Sequence, residues 1–143
     1  MSTYLLSCVV FALVFGLMDF LWLTNAFPRV YQPAIGEILA AKVRMVPAAL
    51  FYLTYVAGVT FFVLAPALAP TLDGGDWRQA ALRGAAFGFV AYATYDLTNQ
   101  ATLSVWPTRL TLTDLAWGTV ATALAAGITV AISARIARVM GWN

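Results

Sequence analysis

Long apolar runs, each closed by a short polar or proline-bearing segment, dominate the chain. Four of them can cross a bilayer, which takes about 20 helical residues. They run from Tyr4 to Leu23, Val43 to Ala69, Gln79 to Asn99 and Leu112 to Val139. A membrane β-barrel would instead show alternating segments of about ten residues, and none appear. The pattern predicts an all-α fold, an integral membrane bundle of four transmembrane helices forming one domain over 1–143. The connection from Phe27 to Lys42 is long for a hairpin. It carries Pro28, Tyr31, Pro33 and Gly36, and Glu37 to Lys42 reads as a short interfacial helical turn between helices one and two. Pro70 to Trp77 reads as a tight turn, and Gln100 to Thr111 contains Trp106-Pro107.

Within these runs the few polar residues fall on stripes. In the third helix Gly84, Gly88, Tyr92 and Asp96 recur every four residues, with Asn99 following, so they share one face. Gly84 and Gly88 form a GxxxG step, which lets a second backbone approach closely. Helix one carries Ala12, Gly16 and Asp19. Helix two carries Arg44, Ala48, Tyr52 and Tyr55, and helix four Asp114, Gly118, Thr122 and Ala126. Antiparallel threading puts Asp19, Arg44, Asp96 and Asp114 near the same membrane face. A faint repeat also relates Phe15-Gly16 to Phe87-Gly88 and Ala57-Gly58-Val59-Thr60 to Ala126-Gly127-Ile128-Thr129.

Composition sharpens the class. The 143 residues are 62% apolar and only 10% charged, where a soluble domain carries about 25%. A net charge of +2, thinly scattered, gives no nucleic-acid footprint. The absence of histidine removes the commonest proton shuttle and metal ligand. Cys8 is the only cysteine, which excludes an intrachain disulfide or thiolate cluster, and it reads as a packing residue of the first helix. Arg78, Arg83, Arg135 and Arg138 flank one face, and Arg29, Lys42, Arg44 and Arg109 the other. Setting aside Arg44 as a site residue tips the positive-inside balance toward cytoplasmic termini. Tryptophans mark both limits, Trp22 and Trp106 at one face, Trp77 and Trp142 at the other.

The chemistry therefore centres on the aspartates. An ionised acid at a membrane-helix centre is unfavourable by about 2.5–3.5 kcal/mol on insertion scales, so such residues face an interior, a partner charge or water. Asp19, Asp96, Asp114 and Arg44 do not balance, and a shared proton, a bound cation or a cationic ligand is expected. Arg44 would pair with one aspartate; Tyr52, Tyr55, Tyr92 and Asn99 would supply hydrogen bonds. A blander reading stands beside this one. Asp114, after Thr113, could cap helix four, while Asp96 and Asn99 could satisfy the last carbonyls of helix three. Three carboxylates are few for a hard metal, so neither a metal nor a cofactor is expected.

Five blocks carry a resemblance: Met18-Asp19-Phe20-Leu21-Trp22-Leu23; Tyr31 to Gly36; Pro47-Ala48 to Tyr55 with Gly58; Tyr95-Asp96-Leu97-Thr98-Asn99-Gln100-Ala101-Thr102-Leu103; and Asp114-Leu115-Ala116-Trp117-Gly118. Over nearly the whole chain they resemble a bacterial family of small predicted membrane proteins catalogued as a domain of unknown function. The resemblance implies a four-helix protein of the bacterial inner membrane and supplies no reaction.

Three functions remain open. The first is binding or translocation of a small cationic solute or proton by the Asp/Arg pocket, as a homodimer. The second is an accessory subunit of a larger membrane complex, with the polar cluster as internal glue. The third is a small membrane enzyme acting on a lipid or quinone headgroup through an aspartate base. There is no HExxH, GxSxG or P-loop to favour the third. The bilayer is the one certain partner; the small-molecule ligand is unknown.

Overall fold

A computed structural model describes residues 2–69 and 75–142. Most of the expected turn at 70–77 lies outside them. Among the described residues the fold is all-helical, with four long helices. Helix α1 spans Ser2–Ala26, α2 Met45–Val59, α3 Trp77–Thr102 and α4 Thr108–Met140. Two of them continue through a wide turn. After α1 come a π turn at Phe27–Tyr31, an α turn at Gln32–Ile35 and a 3₁₀ turn at Gly36–Ile38. After α2 come a π turn at Thr60–Leu64 and an α turn at Ala65–Ala67.

The wide turns share a cause. Proline lacks an N–H and its ring presses on the carbonyl four residues back. Pro33 and Pro66 each lie two residues beyond a π turn. There the Gln32 N–H bonds Phe27 O and the Ala65 N–H bonds Thr60 O, five residues back rather than four. Widening the turn carries the helix through each proline. Arg29 Nη1 also reaches the Asn25 carbonyl at 3.1 Å beside the first wide turn. The first helix therefore runs well past Leu23. Of the stretch Glu37–Lys42, only Glu37 and Ile38 are helical.

Other boundaries follow local chemistry. Asp76 caps α3, its Oδ1 accepting from the N–H groups of Arg78 at 2.9 Å and Gln79 at 3.2 Å. Pro107 stands before α4 in extended conformation, so that helix begins four residues ahead of the expected Leu112. Gly141, at φ 64°, ends it in the left-handed region that glycine tolerates best.

Helix α4 is the centre of the molecule and packs most extensively on α3, next on α1. Its inward face is small: Gly118, Ala121, Ala125 and Ala126 are all buried. On α3, a Cβ at Gly84 would meet the Thr122 carbonyl at 2.7 Å, and one at Gly88 would strike the Gly118 carbonyl. The GxxxG step is thus where two backbones touch. Gly16 faces open space, so the repeat matching it to Gly88 has no counterpart in packing. Phe11, Phe15, Tyr55, Val59, Val63 and Val130 fill the core. Cys8 is a half-buried free thiol of α1.

The polarity is inverted relative to a soluble protein. Val139 is 81% exposed, Leu82 74% and Phe61 72%, whereas Asp96 is 0% exposed and Asp19 and Asp114 each 5%. An apolar exterior of this extent requires a nonpolar solvent. Three helical stretches are long and apolar enough to cross a membrane: Thr3–Ile38, Met45–Ala67 and Thr108–Met140. Helix α3 is long enough at 26 residues, but its charged and amide residues keep it out of that set.

Candidate functional site

The carboxyls of Asp19, Asp96 and Asp114 gather at one end of the bundle. On α1, Asp19 accepts from Tyr52 Oη of α2 at 2.5 Å and from Trp117 Nε1 of α4 at 3.4 Å. On α4, Asp114 Oδ1 accepts from Tyr31 Oη at 2.6 Å. Tyr31 Oη in turn accepts from Trp22 Nε1 at 3.0 Å. The Trp22 and Trp117 rings stack with centroids 4.4 Å apart, joining the two networks side by side.

Asp96 of α3 is the most enclosed of the three. Its carboxyl faces that of Asp114 across the α3–α4 seam. Neither Asp96 oxygen completes a hydrogen bond to a donor. The Trp106 indole N–H, also buried and without a completed bond, stands beside the same carboxyl. Tyr95 meets the Trp106 ring edge-on at 5.7 Å. Two ionised carboxylates are both pure acceptors, so the Asp96–Asp114 contact becomes a hydrogen bond only when a proton lies between them.

The remaining expected residues divide. Tyr52 joins the cluster through Asp19. Tyr55 lies one turn deeper and bonds Thr122 Oγ1 at 2.7 Å. Thr122 gives its own proton to the Gly118 carbonyl at 2.6 Å, so Tyr55 is the donor. The Tyr92 ring presses against Gly118, where any Cβ would overlap it. Asn99 is half-buried, and its carbonyl accepts from the Leu103 N–H at 2.8 Å. Arg44 does not join: it is exposed at the N-terminal boundary of α2, in extended conformation. A long arginine side chain at a helix end can reach polar surroundings and needs no carboxylate partner there. In its place the aspartates use neutral donors from Tyr and Trp. Helix capping explains neither Asp114, the seventh residue of α4, nor Asp96, six residues before the end of α3.

Several participants carried no sequence signal as site residues. Tyr31 sits beyond the expected first span, and its arrival depends on the π turn. Trp22 and Trp106 read as interface markers; Trp117 was one letter of a motif block. Gln100 ties the ends of α3 and α4, giving a proton to Thr108 Oγ1 at 2.8 Å and accepting one from Thr111 Oγ1 at 2.7 Å. Its position in the polar block Tyr95–Leu103 was the available hint. Among the described residues no group of three or more acids, cysteines or histidines could hold a metal ion.

Fold and site together define a helical membrane protein with acids buried inside and large apolar side chains outside. The chain belongs to the family described as Predicted membrane protein (DUF2177), which matches residues 4–131. No curated protein and no solved structure matches it.

Proposed function

We propose that the chain is a single four-span unit of the bacterial inner membrane, with a polar pocket beneath one leaflet that binds or translocates a small cation or proton. The observation carrying this reading is Asp96, fully buried with both oxygens lacking a completed bond and Asp114 alongside. Such a pair needs a positive charge to be stable. Helix α3 counts as the fourth span because it lies along α4 and hides its glycine face there. At 26 residues it is about 39 Å long, enough to cross hydrocarbon about 30 Å thick. The termini are assigned to the cytoplasm from the arginine balance. The end of the α1 extension, at Gly36–Ile38, serves as the interfacial turn.

The test is reconstitution in lipid vesicles, with proton movement and small-cation binding followed in Asp19→Asn and Asp96→Asn variants. Loss of the signal at an unchanged melting temperature supports the reading; an unchanged signal overturns it.

A second reading, an accessory subunit of a larger complex, draws on a different observation. The polar contacts at this end of the bundle join helices: Tyr52 to Asp19, Tyr31 to Asp114, Gln100 to Thr108 and Thr111. On this reading the same variants lower the melting temperature and change nothing else.

A further inference from the structure

The excess negative charge at the site could be met by a proton, a metal ion or an organic cation, and the geometry separates these. Asp96 has no exposed surface. Two cavities are described, each of about 750 Å³. One is lined by the α1 extension, the segment after it and Val105; the other by the lipid-facing side of Trp22, Trp117 and the first turns of α4. No aspartate lines either, so neither gives an organic cation room beside the pair. The described residues offer no metal cluster. The groups nearest the pair are Tyr31 on the α1 extension and Asp19 on α1, with Tyr52 of α2 bonded to Asp19. The donors to Asp19 and Asp114 are tyrosine and tryptophan, with no arginine or lysine among them in the described residues.

Donor directions and burial then point to one arrangement. Tyr31 has one hydroxyl proton. Its oxygen already accepts from Trp22, and the proton goes to Asp114. Asp114 is therefore an acceptor on that side. The contact with Asp96 is satisfied by one proton between the two carboxyls, and it falls to Asp96, because the completed Tyr31 bond favours the charged form of Asp114 whereas Asp96 has no exposed surface and no completed bond. The remaining Asp96 oxygen is then an acceptor for the otherwise unused Trp106 N–H.

We infer that the ion held at this site is a proton, carried by Asp96 and donated to Asp114, with Tyr31 orienting the Asp114 carboxylate from the other side. This rests on the small-cation reading above and names the ion. The experiment is infrared spectroscopy of the protein in bilayers at neutral pH, in H₂O and D₂O. The wild-type protein should show a protonated-carboxyl C=O band that moves in D₂O. Asp96→Asn should remove it. Tyr31→Phe should shift the band without removing it, a response that loss of a merely structural tie would not produce. Absence of the band in the wild-type protein overturns the inference and requires no variant to fold. Survival of the band in Asp96→Asn, or an unmoved band in Tyr31→Phe, also overturns it. Calorimetric titration with sodium and with tetramethylammonium distinguishes the two levels. Asp96-dependent binding of either, with no protonated band, sinks the proton and leaves the cation reading standing. No band and no binding removes both.

Discussion

Gly88 and Gly118 face each other where α3 and α4 touch, and a methyl group there has nowhere to go. Gly88→Ala should therefore destabilise the protein by about 1–3 kcal/mol, the usual cost of overpacking, whereas Gly16→Ala, beside open space, should be neutral within about 1 kcal/mol. Thermal melts in detergent compare the two directly. Tyr52→Phe removes one donor from the buried Asp19 carboxylate and should cost about 1.5–3 kcal/mol, the range for a hydrogen bond to a charged group, in the same measurement. The aspartates were legible as a group because their spacing and the antiparallel threading are set by chain order alone. Their partners were not. An indole or phenol at a helix end reads equally well as an interface anchor, and only its rotamer and the neighbouring helix decide where the N–H or O–H points. Arg44 was misjudged for a related reason: it lies within an apolar run of the sequence, yet α2 starts one residue later, which leaves the guanidinium outside.

Helices α1 and α2 each carry a π turn two residues before a proline, and the first of these turns positions Tyr31. An extra residue in one turn rotates everything beyond it by about 100° relative to an unbroken α-helix. Deleting Val30 should close the wide turn, swing Tyr31 away from Asp114 and lower stability as Tyr31→Phe does. The two changes should be non-additive in a double-mutant cycle of melting free energies, because both remove the same contact. A full additive loss would show that the turn stabilises the fold in some other way. The existence and order of the long helices followed from hydrophobic run length. Their ends did not: the first span was read to Leu23, short of the prolines at 28 and 33, and a proline tolerated through a widened turn leaves no distinct mark in the sequence.

For the molecule as a whole, the four-span reading makes a topological prediction. In a Cys8→Ser background, Lys42→Cys and Val105→Cys should react with an impermeant thiol reagent from one side of the membrane, and Trp142→Cys only from the other. Labelling of Val105→Cys from the side opposite Lys42→Cys, with Trp142→Cys then labelled from the Lys42→Cys side, would mean that α3 does not cross. The helical fold, the gathering of acids at one end and a close-packing step at Gly84 and Gly88 were readable from runs and stripes, since each depends on periodicity; the helix that meets that step was not. The centrality of α4 was less so, because small residues mark closeness without saying how many neighbours share it. The seam has one more consequence, and it concerns biogenesis. Helix α3 leaves the ribosome before α4, yet by its own composition it is the poorest candidate of the four to enter lipid. Its carboxyl and amides become tolerable only once the later helix covers them. Residues 77–140 should therefore be integrated as a pair, with the earlier member waiting at the translocon, and a chain truncated and released after Leu103 should leave that segment outside the bilayer.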